Sequence, residues 1–246
     1  MKQVIYQFWD GDIPTHVQDE INDLKAKAEA AGFKHEMYDL NRLLDELNNS
    51  NLHWDNKHRV EDVRESLRRM KKYLPISLFA SACSDFFRYW CLQEGGVYMD
   101  TDVLITTETF PELPGGDGVF TCSEQTHTHK LNTCVTVCNG QQGMTYAQLL
   151  TFFAADRLMK TWLDSFEQCK ANAQWLIENK WSLINYIGPG FVRHYLPFLT
   201  GIGVKVERMP YELCSSHNWK SAIWHAGDGT WVNGGKGNAQ AQRKVF

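Results

Sequence analysis

Apolar positions recur along this chain in two rhythms, and the switches between them outline its elements. A short apolar run, Val4 to Trp9, closed by Asp10-Gly11-Asp12-Ile13-Pro14, has the length and turn signal of a buried strand. Val17, Ile21, Leu24 and Ala28 then recur at helical spacing, predicting a helix from Thr15 to Ala31, with Thr15 as N-cap and Gly32 as stop. Phe33 to Tyr38 reads as a second strand and Asn41 to Leu47 as a short helix. Ile76 to Glu94 is an almost wholly apolar helix between Pro75 and Gly95-Gly96, followed by a strand through Val97-Tyr98-Met99 and a bent continuation from Asp102 to Ile105. Gly115 to Gly118 is a turn, and Val119 to Thr121 and Thr133 to Val137 are strands. A long helix is expected from Tyr146 to Lys180, packing Leu149, Phe153, Leu158, Trp162 and Phe166 inward. The glycine-and-proline loop Asn185 to Gly190 leads into another short helix, and Val204 to Met209 and Ala222 to His225 are late strands. The opening β-α-β-α alternation predicts an α/β fold with a mostly parallel, Rossmann-like sheet and helices on both faces. With no internal repeat and no clean linker, residues 1–246 are expected to form a single domain, with a flexible tail over residues 232–246.

Composition narrows the classes. The hydrophobic fraction of 43% and charged fraction of 22% are those of an ordinary globular protein. A net charge of −4 argues against a nucleic-acid binder. The basic charge gathers instead in residues 57–75, where Arg59, Arg64, Arg68, Arg69, Lys71 and Lys72 surround an apolar stripe of Val60, Val63, Leu67 and Met70. This is a basic amphipathic helix, either a solvated surface or a peripheral contact with an anionic membrane. No signal peptide or spanning segment is evident, so a cytoplasmic location, with the inner membrane face as the alternative, is expected.

The odd count of seven cysteines has no disulfide-framework spacing, which favours a reduced compartment. Cys122, His127, His129, Cys134 and Cys138 raise the question of zinc. A continuous strand would set the Cys134 and Cys138 thiols on one face but about 13 Å apart, and no C-x-x-C is present, so zinc is not expected.

The chemistry concentrates around Asp100-Thr101-Asp102. Two carboxylates at i and i+2 on an extended segment point the same way, and hard divalent cations such as Mn²⁺ or Mg²⁺ take such oxygens together with substrate phosphates. Asp85 and Arg88, three apart on the apolar helix, share a side of it; they are either a structural ion pair or a recognition pair for phosphate and sugar oxygens. The glycine turn folds the following strand back alongside that helix, so the pair can face the two aspartates.

The run Ser81-Ala82-Cys83-Ser84-Asp85-Phe86-Phe87-Arg88-Tyr89, then Leu92, then Gly95-Gly96-Val97-Tyr98-Met99-Asp100-Thr101-Asp102-Val103, resembles the signature of glycosyltransferase family 32 over residues 79–105. That group includes capsular and lipopolysaccharide glycosyltransferases, the yeast initiating α-1,6-mannosyltransferases and the catalytic domains of the clostridial glucosylating toxins. Val4 to Trp9 resembles the family's amino-terminal strand ending in Q-x-W, and Ile223 to Trp231 its late element of a His followed by a Trp, with Thr230 where a Ser is common.

The resemblance implies a GT-A-type domain and a retaining, metal-dependent hexosyltransferase acting on a UDP- or GDP-linked sugar. By that resemblance Trp9 stacks on the base, Asp85 and Arg88 hold the donor sugar with Tyr98 and Asn132 nearby, and Asp100 contacts ribose or a metal-bound water. Asp102 ligates Mn²⁺ or Mg²⁺, His225 closes the metal site and Trp231 covers the diphosphate. The acceptor is a glycan or lipid-linked glycan, in capsule or lipopolysaccharide synthesis. A translocated effector glycosylating a host protein shares the same donor site. A non-catalytic glycan- or partner-binding domain and a metal-dependent phosphohydrolase are the readings from other classes.

Overall fold

The computed structural model describes residues 2–49, 57–123, 131–215 and 218–225. The tail over residues 232–246, and with it Trp231, lies outside the described residues, as do His127 and His129. The elements run β1 (Val4–Phe8), α1 (Thr15–Ala30), β2 (Lys34–Tyr38), α2 (Leu40–Asn49), α3 (Lys57–Tyr73), α4 (Ile76–Cys91), β3 (Gly96–Met99), β4 (Val103–Ile105), β5 (Gly118–Ser123) and β6 (Leu131–Asn139). There follow α5 (Gly140–Trp162), α6 (Phe166–Glu178), α7 (Leu183–Tyr186), α8 (Pro189–Gly201), β7 (Val206–Arg208), β8 (Cys214–Ser215) and β9 (Ile223–His225). Among the described residues no helix is long and apolar enough to cross a membrane.

One sheet runs in the order β2-β1-β3-β6-β5-β8-β9-β4, with β7 also paired to β5. The β1–β2, β1–β3, β5–β7, β5–β8 and β8–β9 pairs are parallel; the β3–β6, β5–β6 and β4–β9 pairs are antiparallel. This is the expected α/β class, a mostly parallel sheet with helices on both faces. Every residue of β1 is buried, as a strand covered on both sides requires. Its Val4, Tyr6 and Phe8 join the larger core with α2, α3, α4 and α5, while Ile5 packs on the other face with Leu24 and Ala28 of α1.

Gly96 explains how closely β3 approaches β1. Its φ is +119°, and a Cβ there would lie 3.1 Å from both the Tyr6 ring and the Val4 carbonyl oxygen. A side chain would strain the backbone and push the two central strands apart.

Three expectations are corrected. The helix predicted from Tyr146 to Lys180 is two helices, α5 beginning earlier at Gly140 and α6 ending at Glu178, broken where the Ser165 side chain caps α6 by accepting from the Gln168 N–H. Phe166, expected inside, is 51% exposed because that break turns it outward at the first position of α6. Pro14 rather than Thr15 occupies the α1 N-cap position.

The basic side of α3 is occupied by carboxylates. Arg64 meets Glu61 at 2.6 Å, Arg68 meets Glu61 at 3.0 Å, Arg69 meets Glu65 at 2.8 Å and Lys71 meets Asp10 at 2.7 Å. Arg59 lies 3.9 Å from Asp156 of α5. Arg59, Arg64, Arg68, Arg69 and Lys71 thus each have a carboxylate within 4 Å.

Candidate active site

The C-terminal ends of β1 and β3 lie side by side, the place where open α/β sheets receive their ligands. Asp100 and Asp102 follow β3, but not on an extended strand as expected. β3 ends at Met99, and Asp100 to Asp102 form a turn closed by the Val103 N–H donating to the Asp100 carbonyl at 3.1 Å. The turn is held from two sides: Asp100 N–H donates to the Cys134 carbonyl at 2.8 Å, and Gln7 Nε2 donates to the Asp100 carbonyl at 3.1 Å. Gln7 is fully buried in β1, and its amide oxygen lies 2.8 Å from His35 Nε2 on β2.

The chain leaves this turn along β4, which pairs with β9 in a register that sets Val103 opposite His225. That pairing delivers His225 to the aspartates from more than a hundred residues away in sequence. His225 Nε2 lies 3.2 Å from Asp102 Oδ1 and 3.9 Å from Asp100 Oδ2. Asp100, Asp102 and His225 each present a ligand atom within 4.8 Å of the others.

This donor set fits a hard divalent cation. It combines two carboxylates with one imidazole, and it leaves the remaining positions to substrate oxygens and water. Burial opposes charge on His225, yet Asp102, with a smaller contribution from the Cys134 sulfur, holds its imidazole well above the ordinary histidine range. A proton and a metal ion therefore compete for that nitrogen.

Behind the aspartates stands Arg88. Its Nη1 donates to Asp85 Oδ1 at 2.5 Å and to Thr133 Oγ1 at 2.6 Å, and its Nη2 donates to Asp100 Oδ1 at 3.0 Å. Tyr98 donates its hydroxyl to the same Asp100 oxygen at 2.7 Å, and its ring lies 4.6 Å from the guanidinium carbon. Asp85 and Arg88 are both more than nine-tenths buried, at 7% and 3% exposure. Burial raises the Asp85 carboxyl to about 6 against the opposing pull of Arg88. The Arg88 guanidinium is held charged by Asp100 and Asp85 in spite of its burial.

The structure thus gathers Asp85, Arg88, Tyr98, Asp100, Asp102 and His225 into one connected cluster. Tyr98, 1% exposed, stands behind Asp100. Asn132 is half-buried, and its Oδ1 accepts from the Cys134 N–H at 3.0 Å. Trp9 lies just beyond β1, half-buried, donating from its indole to the Asp12 carbonyl at 3.2 Å.

Sequence reasoning missed Gln7, Thr133 and the role of Cys134. Gln7 carries a readable signal, a lone amide inside an otherwise apolar strand. Thr133 carries none, because its placement depends on an irregularity in β6. The β5–β6 register pairs Thr121 with Thr136 but Cys122 with Asn132, so β6 swells by a bulge. Successive residues Cys134 and Val135 consequently share one core cluster, while Cys138 joins the opposite one. The expectation that Cys134 and Cys138 share a face is overturned by this bulge. All seven cysteines are buried thiols.

Fold and site together bring the D-x-D aspartates, the His225 imidazole and the buried Arg88 into one cluster. Residues 12–118 match the model of the glycosyltransferase sugar-binding region containing DXD motif. Among solved structures the chain is similar to one titled PaToxG Glycosyltransferase, at 14% identity and a TM-score of 0.43, over 82% of this chain and 79% of that one. No curated protein matches by sequence. The match over residues 12–118 supports a glycosyl-transfer role for this region of the chain.

Proposed function

We propose that the protein is a metal-dependent, retaining hexosyltransferase that moves a sugar from a UDP- or GDP-linked donor to a surface glycan of the capsular or lipopolysaccharide kind, working in the cytoplasm. The observation that carries the reading is the convergence of Asp100, Asp102 and His225 within 4.8 Å, directly in front of the buried Arg88. Asp100, Asp102 and His225 would hold Mn²⁺ or Mg²⁺, which when bound neutralises charge on the donor diphosphate.

Asp85, ionised above about pH 6, accepts hydrogen bonds from donor-sugar hydroxyls on the acceptor capacity left by its bond to Arg88. Arg88 places a fixed positive charge behind the anomeric centre, where negative charge moves onto the departing β-phosphate oxygen. Tyr98 and Gln7 keep Asp100 in place through its side chain and its carbonyl respectively. Trp9, at the end of β1, offers an aromatic face for the base. No carboxylate is read as a nucleophile, so the bond from the anomeric carbon to the phosphate oxygen breaks on the face where the acceptor oxygen attaches. The acceptor proton passes to the departing phosphate.

The direct test is release of UDP or GDP from a panel of nucleotide sugars by purified protein with Mn²⁺, and its loss with EDTA. Release from no donor, together with unchanged nucleotide affinity in Asp102→Asn, would sink the proposal.

A further inference from the structure

We infer that Thr133 is a positioning residue that divides the Arg88 guanidinium between Asp85 and Asp100; the inference rests on the transferase reading above. Arg88 has two competing buried or half-buried carboxylates and a planar fork that favours two parallel bonds to a single one. In the structure it does not take that option. Nη1 serves Asp85 and Thr133, and only Nη2 serves Asp100. Thr133 is fully buried, and its hydroxyl, 2.6 Å from Nη1, is the one neutral acceptor among the three partners.

The bulge in β6 makes this contact possible. β3 and β6 pair Tyr98 with Thr136 and Gly96 with Cys138, and the Tyr98 side chain and Cys138 belong to the core on the α4 side. Regular alternation from Thr136 would put Cys134 on that side and Thr133 on the other. Because Cys134 instead joins Val135 on the opposite face, Thr133 is turned toward α4 and meets Arg88. The Asp100 N–H still donates to the Cys134 carbonyl in the register that β3 and β6 keep, so the irregularity lies on the β5 side of β6. Regular β3–β6 pairing therefore fixes the backbone of Asp100, and the bulge beside it supplies the hydroxyl that meets the arginine behind it.

Without the Thr133 hydroxyl, Arg88 is free to rotate into a two-bond pairing with Asp100. That would draw a carboxylate away from the cation position and leave Asp85 without its counter-charge. The consequence is a double loss, in cation affinity and in donor use, from a residue that touches neither.

The test compares Thr133→Val, which keeps shape and removes the acceptor, with Thr133→Ser, which restores a hydroxyl. Two readouts are taken: donor turnover, and the dissociation constant for Mn²⁺ alone by calorimetry. Loss of a hydrogen bond to a charged group predicts a fall in kcat/KM of roughly ten- to a hundredfold for the Val variant, with weaker Mn²⁺ binding. The Ser variant stays within about threefold of the wild type on the same grounds. In an Arg88→Lys background the Val substitution should cost nothing further in Mn²⁺ affinity.

Equal behaviour of Val and Ser variants in both readouts, or an undiminished cost in the Arg88→Lys background, overturns the inference. Thr133→Ala carries the same test if the Val variant does not fold. Wild-type protein that releases no nucleoside diphosphate from any donor would defeat the transferase reading. The Mn²⁺ measurements would then judge Thr133 by themselves.

Discussion

Helices α3 and α4 each carry an acid followed three residues later by an arginine, Glu61 with Arg64 and Asp85 with Arg88, at 2.6 and 2.5 Å. Spacing and chemistry are alike, and so is the local geometry. The surroundings differ. The Glu61 side chain is 57% exposed, whereas the Asp85 and Arg88 side chains are 10% and 4% exposed. Water screens the first pair and lets Glu61 share itself with Arg68 as well. Burial removes that screening from the second, raises the Asp85 carboxyl to about 6 and ties Arg88 into a network that reaches Asp100. A charged pair becomes a functional candidate when the protein has bound itself to desolvate it and has a third group waiting beside it.

The largest effect should come from the open end of that network. Asp102→Asn removes a formal charge from the candidate cation site while keeping shape, so kcat/KM should fall about a hundred- to a thousandfold. Thermal stability should fall modestly at neutral pH, because Asp102 is the main group that holds the buried His225 imidazole charged. Turnover measured across Mn²⁺ concentrations checks this. Recovery at high Mn²⁺ would point to binding, and a loss that persists at saturation to the chemical step.

Next in size is Arg88→Met. It leaves Asp85 buried without its counter-charge, which costs about 3–5 kcal/mol at neutral pH. Urea unfolding at pH 7 and pH 5 separates this from lost packing. The penalty should shrink at the lower pH, where Asp85 takes up a proton and no longer needs a partner. An equal penalty at both pH values would show that Arg88 acts through its carbon stem and not its charge.

The wild-type pH dependence is smaller and has a definite sign. The Asp85 carboxyl sits at about 6 in the folded protein against 3.8 ordinarily, so the folded state binds the extra proton between those values. Stability from this group is therefore present at low pH and declines as pH rises from about 4 to 6, by at most about 3 kcal/mol. Activity should run the other way, rising through about pH 6 as the carboxylate forms. Asp85→Asn should flatten both trends. A rise in activity through pH 6 that persists in that variant would assign the limb to another group.

How much of this was legible in the sequence follows from how local each cause is. The elements from Ile76 to Ile105 are set by an apolar helix, a glycine pair and a short strand, all contiguous, and the chain announces them in order. Asp85, Arg88 and Asp100 meet because Gly95 and Gly96, both with positive φ, return β3 alongside α4. His225 was suggested by resemblance alone, since nothing near it in sequence states that β9 pairs with β4. The bulge that brings in Thr133 is a property of three strands and their competing registers, and no local pattern encodes it. The break between α5 and α6 was missed because apolar spacing continues through Leu163 and Phe166 while Ser165, a cap residue, interrupts the backbone.

The smallest expected effect guards the comparison from the other side. If desolvation is what separates the two pairs, Glu61→Gln should change stability by under about 1 kcal/mol. Turnover, KM for donor and Mn²⁺ affinity should be unchanged. Arg68 and Arg64 hold Glu61 below the usual carboxylate range, with Arg68 the larger influence. Its small contribution is therefore present above that range and lost as pH falls through it, opposite in sign to Asp85. Added salt should erase it, since exposed charges are screened within about 8–10 Å at moderate ionic strength. The buried Asp85–Arg88 pair should be nearly indifferent to the same salt. A stability cost for Glu61→Gln that matches Arg88→Met, or a salt response shared by both, would mean that three-residue spacing and charge govern these pairs and that burial does not.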